Sequence, residues 1–101
     1  MYLNSKEEKI IGEFLTFLDK KTEADLLTLK WDSGTEVIGT CLCIYESDNG
    51  LELSDPNYEE MWAVAITIKE IIQDGEEIHP ISEDNIFEVT YHNCPNSFES
   101  K

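Results

Sequence analysis

The sequence predicts a mainly β domain with one N-terminal helix and a small, strongly bent antiparallel sheet or barrel of five strands. Three observations carry that expectation. The apolar period changes from helical to alternating at Ala24. Runs rich in β-branched and aromatic residues follow over 37–45 and 61–72. Turn-forming clusters punctuate the chain at Asp32-Ser33-Gly34, Gln73-Asp74-Gly75 and Ser82-Glu83-Asp84-Asn85.

The helix is expected over about residues 6–20, because Ile10, Ile11, Phe14, Leu15, Phe17 and Leu18 recur at helical spacing. Ser5, followed three residues later by Glu8, has the form of a capping box. Glu7 and Glu8 stand at the positive end of the helix dipole, Lys20 and Lys21 at the negative end. The first strand follows from Leu27, Leu29 and Trp31 alternating with Thr28 and Lys30. Residues 37–45 are apolar on both faces, as suits a strand covered twice, and Gly39 inside them marks a bend or a close backbone approach. Residues 61–72 read as a long strand, although Ala63, Ala65, Lys69 and Glu70 would also tolerate a helix. A short strand is expected around Ile78, ended by Pro80, and a last one where Phe87, Val89 and Tyr91 alternate. A length of 101 residues argues for one domain, 1–92, with 93–101 and its Pro95 as a loose C-terminal tail.

This order resembles the small barrels of the Sm-like and SH3-like type over residues 6–91. Gly39, Cys41 and Ile44, then Asn49 and Leu51, match the first Sm motif, with the expected acid one place late at Glu46. The second motif, an apolar-Arg-Gly step, is replaced by Ser82-Glu83-Asp84-Asn85, and the chain has no Arg. The resemblance therefore implies a topology and not an RNA-binding role.

Charge narrows the function. Twenty-two acids against seven lysines give a net charge of −15, and residues 32–101 alone carry −14. Such a surface repels nucleic acid and anionic lipid and attracts a basic protein partner. Hydrophobic residues at 41% are too many for a disordered acidic tail, so the charge sits on a folded body. No apolar run is long enough to span a membrane, and the start lacks the features of a signal peptide. Three cysteines make no closed disulfide framework, and the expected location is the cytoplasm.

The most suggestive segment is 46–60. It carries Glu46, Asp48, Glu52, Asp55, Glu59 and Glu60 without a base, and is too long for an ordinary connection inside a small domain. Its acids would set the approach of a partner, with Tyr58, Trp62 and Leu53 as apolar anchors. No cofactor or metal is expected. An EF-hand register on Gly50 puts Tyr45 first and Pro56 last, which excludes it. Cys41 and Cys43, with His92 and Cys94, have suitable softness for zinc. However, two thiols on one strand face are spread wider than a Cys-x-x-Cys turn allows. Neither His79 nor His92 lies in a catalytic pattern, so an enzyme is not expected.

These features imply a small acidic binding protein, most concretely an immunity or inhibitor protein for a cationic, nuclease-like partner. One alternative is a nucleic-acid mimic: Ser54-Asp55-Pro56-Asn57-Tyr58 and Trp62-Ala63-Val64-Ala65-Ile66 resemble the phage uracil-DNA glycosylase inhibitors. The other is a housekeeping scaffold domain whose charge serves solubility. In either case, crowded carboxylates are expected to raise some pKa values and make the free protein more stable in mild acid.

Overall fold

The computed structural model describes residues 5–101. In chain order it contains α1 (Ser5–Leu18), β1 (Leu27–Lys30), β2 (Glu36–Asp48), β3 (Glu60–Gln73), a 3₁₀ turn (Glu76–Ile78), β4 (Ile86–Val89) and β5 (Ser97–Ser100). The strands form one antiparallel sheet in the order β4-β3-β2-β1-β5. The sheet is open. Its two edges, β4 and β5, lie at opposite ends of that order and do not meet, so the barrel closure implied by the Sm-like resemblance does not form.

Helix α1 lies on one face of the sheet. Ile11, Phe14, Leu15 and Leu18 join Leu27, Leu29, Val37, Val64, Ile66, Ile68, Phe87 and Val89 in a continuous core. Ile10 departs from the expected apolar face and is 46% exposed. Ser5 is already helical, and Glu7 is buried rather than displayed at the helix dipole. Its Oε2 accepts the Trp62 main-chain N–H at 2.8 Å, which ties the first turn of α1 to β3. A buried donor left without such a partner costs about 1–3 kcal/mol, so this bond fixes where the helix starts on the sheet.

Residues 61–72 are strand, as the β-branched run predicts, and β3 pairs with β2 along nearly its whole length. Gly39 is required by close approach. A Cβ there would stand 2.6 Å from the Thr67 carbonyl oxygen and 2.9 Å from Ile66 Cγ2. The turn at Ser82-Glu83-Asp84-Asn85 also forms, with the Asn85 N–H donating to the Ser82 carbonyl at 3.0 Å and Asn85 in the left-handed region.

Two expectations are corrected. The short strand around Ile78 is a 3₁₀ turn. It inserts one fully buried side chain into the core, and from sequence a single inward apolar residue cannot distinguish the two. The segment 93–101 is not a loose tail, because it carries β5, paired to β1 from Leu27–Ser100 to Lys30–Ser97. Phe98 packs at 5.0 Å from both Phe14 and Phe17, each such aromatic pair adding about 0.5–1.5 kcal/mol beyond area burial. Asn93 clamps the approach to this strand. Its Nδ2 donates to the carbonyls of Glu77 and Glu88, its Oδ1 accepts from Thr90 N–H, and its own carbonyl accepts the Trp31 indole N–H at 2.7 Å.

Candidate partner-binding site

The β2–β3 hairpin is the longest feature of the molecule, and its strands run further than the sequence indicated. Residues 46–48 belong to β2 and Glu60 opens β3, so the connection is 49–59 rather than the whole of 46–60. The strands persist because Glu46 pairs with Trp62, Ser47 with Met61 and Asp48 with Glu60. The loop beyond them is built from short side-chain turns. Asp48 Oδ1 accepts Gly50 N–H at 2.8 Å, and Asp55 Oδ1 accepts Asn57 N–H at 2.8 Å. Asn49 closes the base, accepting Leu51 N–H on Oδ1 and donating to the Asn57 carbonyl at 2.7 Å.

The acids picked out by sequence therefore divide. Asp48 and Asp55 hold the loop's own turns. Glu59 faces inward: Oε2 accepts the Tyr91 hydroxyl, and Oε1 lies 2.9 Å from His92 Nε2. The Tyr91 hydroxyl is the main reason that Glu59 is held below the usual carboxylate range. Burial, and then Glu59 itself, push the Tyr91 phenol up to about 12. Glu60 receives the Tyr58 hydroxyl at 3.3 Å. Glu46 and Glu52 are exposed, and their side chains make no hydrogen bond among the described residues. The direct pairing of Asp48 with Glu60 sets two like charges opposite each other, an arrangement that costs stability and concentrates negative potential at the hairpin end.

The expected anchors also divide. Trp62 is half-buried and packs on the core, which makes it a structural residue. Tyr58 is half-buried within the loop, whereas Leu53 is 78% exposed at its tip.

The expected common face of Cys41 and Cys43 is overturned by a β-bulge. Cys41 pairs with Ile66 but Cys43 with Ala65, so Leu42 is the extra residue and the strand changes phase across it. Cys41 packs against the core and Cys43 is exposed on the other face. Cys94 is half-buried, its thiol pushed up to about 12 by that burial, and His92 is engaged with Glu59. Among the described residues no group of three or more His, Cys, Asp or Glu is placed to hold a metal ion.

One cluster escaped sequence reasoning. On the sheet face opposite the core, Tyr45 donates its hydroxyl to Glu88 Oε2 across β3, and Ser47 Oγ stands 3.5 Å from the same oxygen. Burial, then the bond to Glu88, push the Tyr45 phenol upward. The signal was present only as an aromatic in an apolar strand, and nothing in the sequence pointed to Glu88 as its partner.

A family model described as "Cognate immunity protein YxxD" matches residues 9–99. This chain belongs to that family. No curated protein and no solved structure matches it. An immunity role follows from the family. No helix among the described residues is long and apolar enough to cross a membrane.

Proposed function

We propose that this immunity protein acts in the cytoplasm by binding and blocking a basic protein toxin, with the acidic end of the β2–β3 hairpin facing the partner. The observation that carries this reading is the grouping of Glu46, Asp48 and Glu60 on paired positions at that end, continued by Glu52 and Asp55 in the loop. A nuclease-like toxin fits best, because a surface that holds phosphate is cationic and is matched electrostatically by carboxylates. Leu53 supplies the exposed apolar contact, and Tyr58, Glu59 and Trp62 hold the loop in place behind it. The protein blocks its partner by occupancy and performs no chemistry of its own.

The test is association kinetics with a catalytically inactivated form of the cognate toxin, measured at two ionic strengths. Glu46 and Glu52 are the acids to neutralise, since neither side chain holds the loop together. The double variant Glu46→Gln, Glu52→Gln is expected to associate about three- to tenfold more slowly at low salt, with a flatter salt dependence. Wild-type rate and slope would remove the hairpin end from the encounter.

A further inference from the structure

Strand β2 has two neighbours along only part of its length. Strand β1 pairs with it from Glu36 to Gly39 and no further, whereas β3 accompanies it to Asp48. Over residues 40–48, among the described residues, no strand lies on the β1 side and no backbone–backbone hydrogen bond reaches β2 from that side. Here the main chain offers a row of outward N–H and C=O groups, the template on which an extended segment adds to a sheet. Natural edges are usually kept short, and the two outermost strands, β4 and β5, are four residues each. The open stretch of β2 is nine residues.

We infer that the toxin adds an extended segment of its own chain to this free edge of β2, at residues 40–48. The inference rests on the immunity reading and specifies how the partner is held. The side chains along the edge describe the occupant. At the inner end Leu42 is 39% exposed and Cys43 is exposed beside it, which favours apolar residues. At the outer end Glu46 and Asp48 are exposed and favour lysine or arginine. A second copy of this chain would set Glu46 and Asp48 against carboxylates of the same kind, so the edge discriminates against its own strands. The bulge at Leu42 works in the same direction, breaking the regular repeat on which self-pairing depends. Tyr45 is fastened to Glu88 across β3, and Asp48 to the Gly50 N–H, so the edge is held in one register before the partner arrives.

The experiment is amide hydrogen exchange on the isotopically labelled protein, read residue by residue by NMR, with and without the inactivated cognate toxin. Strand addition is expected to slow exchange of alternate amides within 40–48, those pointing away from β3, by about tenfold or more. Leu42→Lys, at an exposed site, is expected to weaken binding by at least about tenfold, while Ile72→Lys at the far end of the hairpin stays within about twofold. Binding that leaves the 40–48 amides unchanged and protects only the loop at 49–59 or the Tyr45–Glu88 face overturns the added strand and leaves the immunity reading standing. Equal weakening by Leu42→Lys and Ile72→Lys also overturns it, because charge alone then explains both. Absence of any complex overturns both readings.

Discussion

The two halves of β2 share one strand and one partner in β3, yet their environments differ. From Glu36 to Gly39 the strand lies between β1 and β3, and Val37, Ile38 and Gly39 are buried. From Thr40 onward, among the described residues, it has a single neighbouring strand, and Leu42, Cys43, Glu46 and Asp48 are exposed. The inner half therefore carries stability, and the outer half is free to carry recognition. The difference comes from β1, which begins at Leu27 opposite Gly39, and from β5, which holds β1 in place.

The comparison is broken most forcefully at Gly39. Gly39→Val would drive a branched side chain into the Thr67 carbonyl of the neighbouring backbone. An expected loss of about 3 kcal/mol, measured by urea denaturation, sets it apart from Cys43→Val on the exposed outer half, expected within about 0.5 kcal/mol. Similar costs at the two sites would erase the distinction between the halves.

A smaller effect is expected from Phe98→Ala. It removes both aromatic contacts to α1 and loosens β5, hence β1, hence the second neighbour of the inner half. Because Phe98 is only half-buried, the loss should be about 2–3 kcal/mol, below the range for a fully buried phenylalanine. Hydrogen exchange should quicken in β1 and in Glu36–Gly39 while the Tyr45–Asp48 end is unchanged.

The mildest test uses pH. Glu59 braces the outer end against Tyr91 and His92, and Glu77 braces the inner end, where the Ser33 and Thr35 hydroxyls hold it below the ordinary range. Asp74 is likewise held down, chiefly by His79. These directions are opposite to the rise expected from like-charge crowding alone, because each carboxylate accepts specific hydrogen bonds. Their folded pKa values lie below the unfolded ones. The stability they add is thus present above about pH 4.3 and is lost as pH falls through the depressed values. The melting temperature should decline below that pH, and Glu59→Gln and Glu77→Gln should each flatten part of the decline. A melting temperature that rises continuously from pH 6 to pH 3.5 would contradict this assignment.

How far the sequence can be read depends on how many residues carry each signal. The helix, the hairpin strands and the turn at Ser82-Glu83-Asp84-Asn85 each rest on several residues in a repeating pattern, and all were legible. Strand β5 rests on one apolar residue, Phe98, whose partners Phe14 and Phe17 lie at the other end of the chain. The 3₁₀ turn rests on Ile78 alone. Among the candidate site residues, the acids of 46–60 were legible as a charge run. Their division into loop-holding Asp48, Asp55 and Glu59 and open Glu46 and Glu52 was not, because hydrogen-bond partners such as Tyr91 and His92 are distant in sequence.

By itself, the sequence determined the class of fold, the long strand at 61–72 and the sign of the surface, since periodicity, β-branching and charge are properties of the residues in order. The tertiary structure decided that the sheet stays open, that Leu42 bulges and parts Cys41 from Cys43, and that half of β2 has no second neighbouring strand among the described residues. Each of these depends on where another strand begins or ends. A pairing register is a relation between segments, and local patterning in one of them does not contain it.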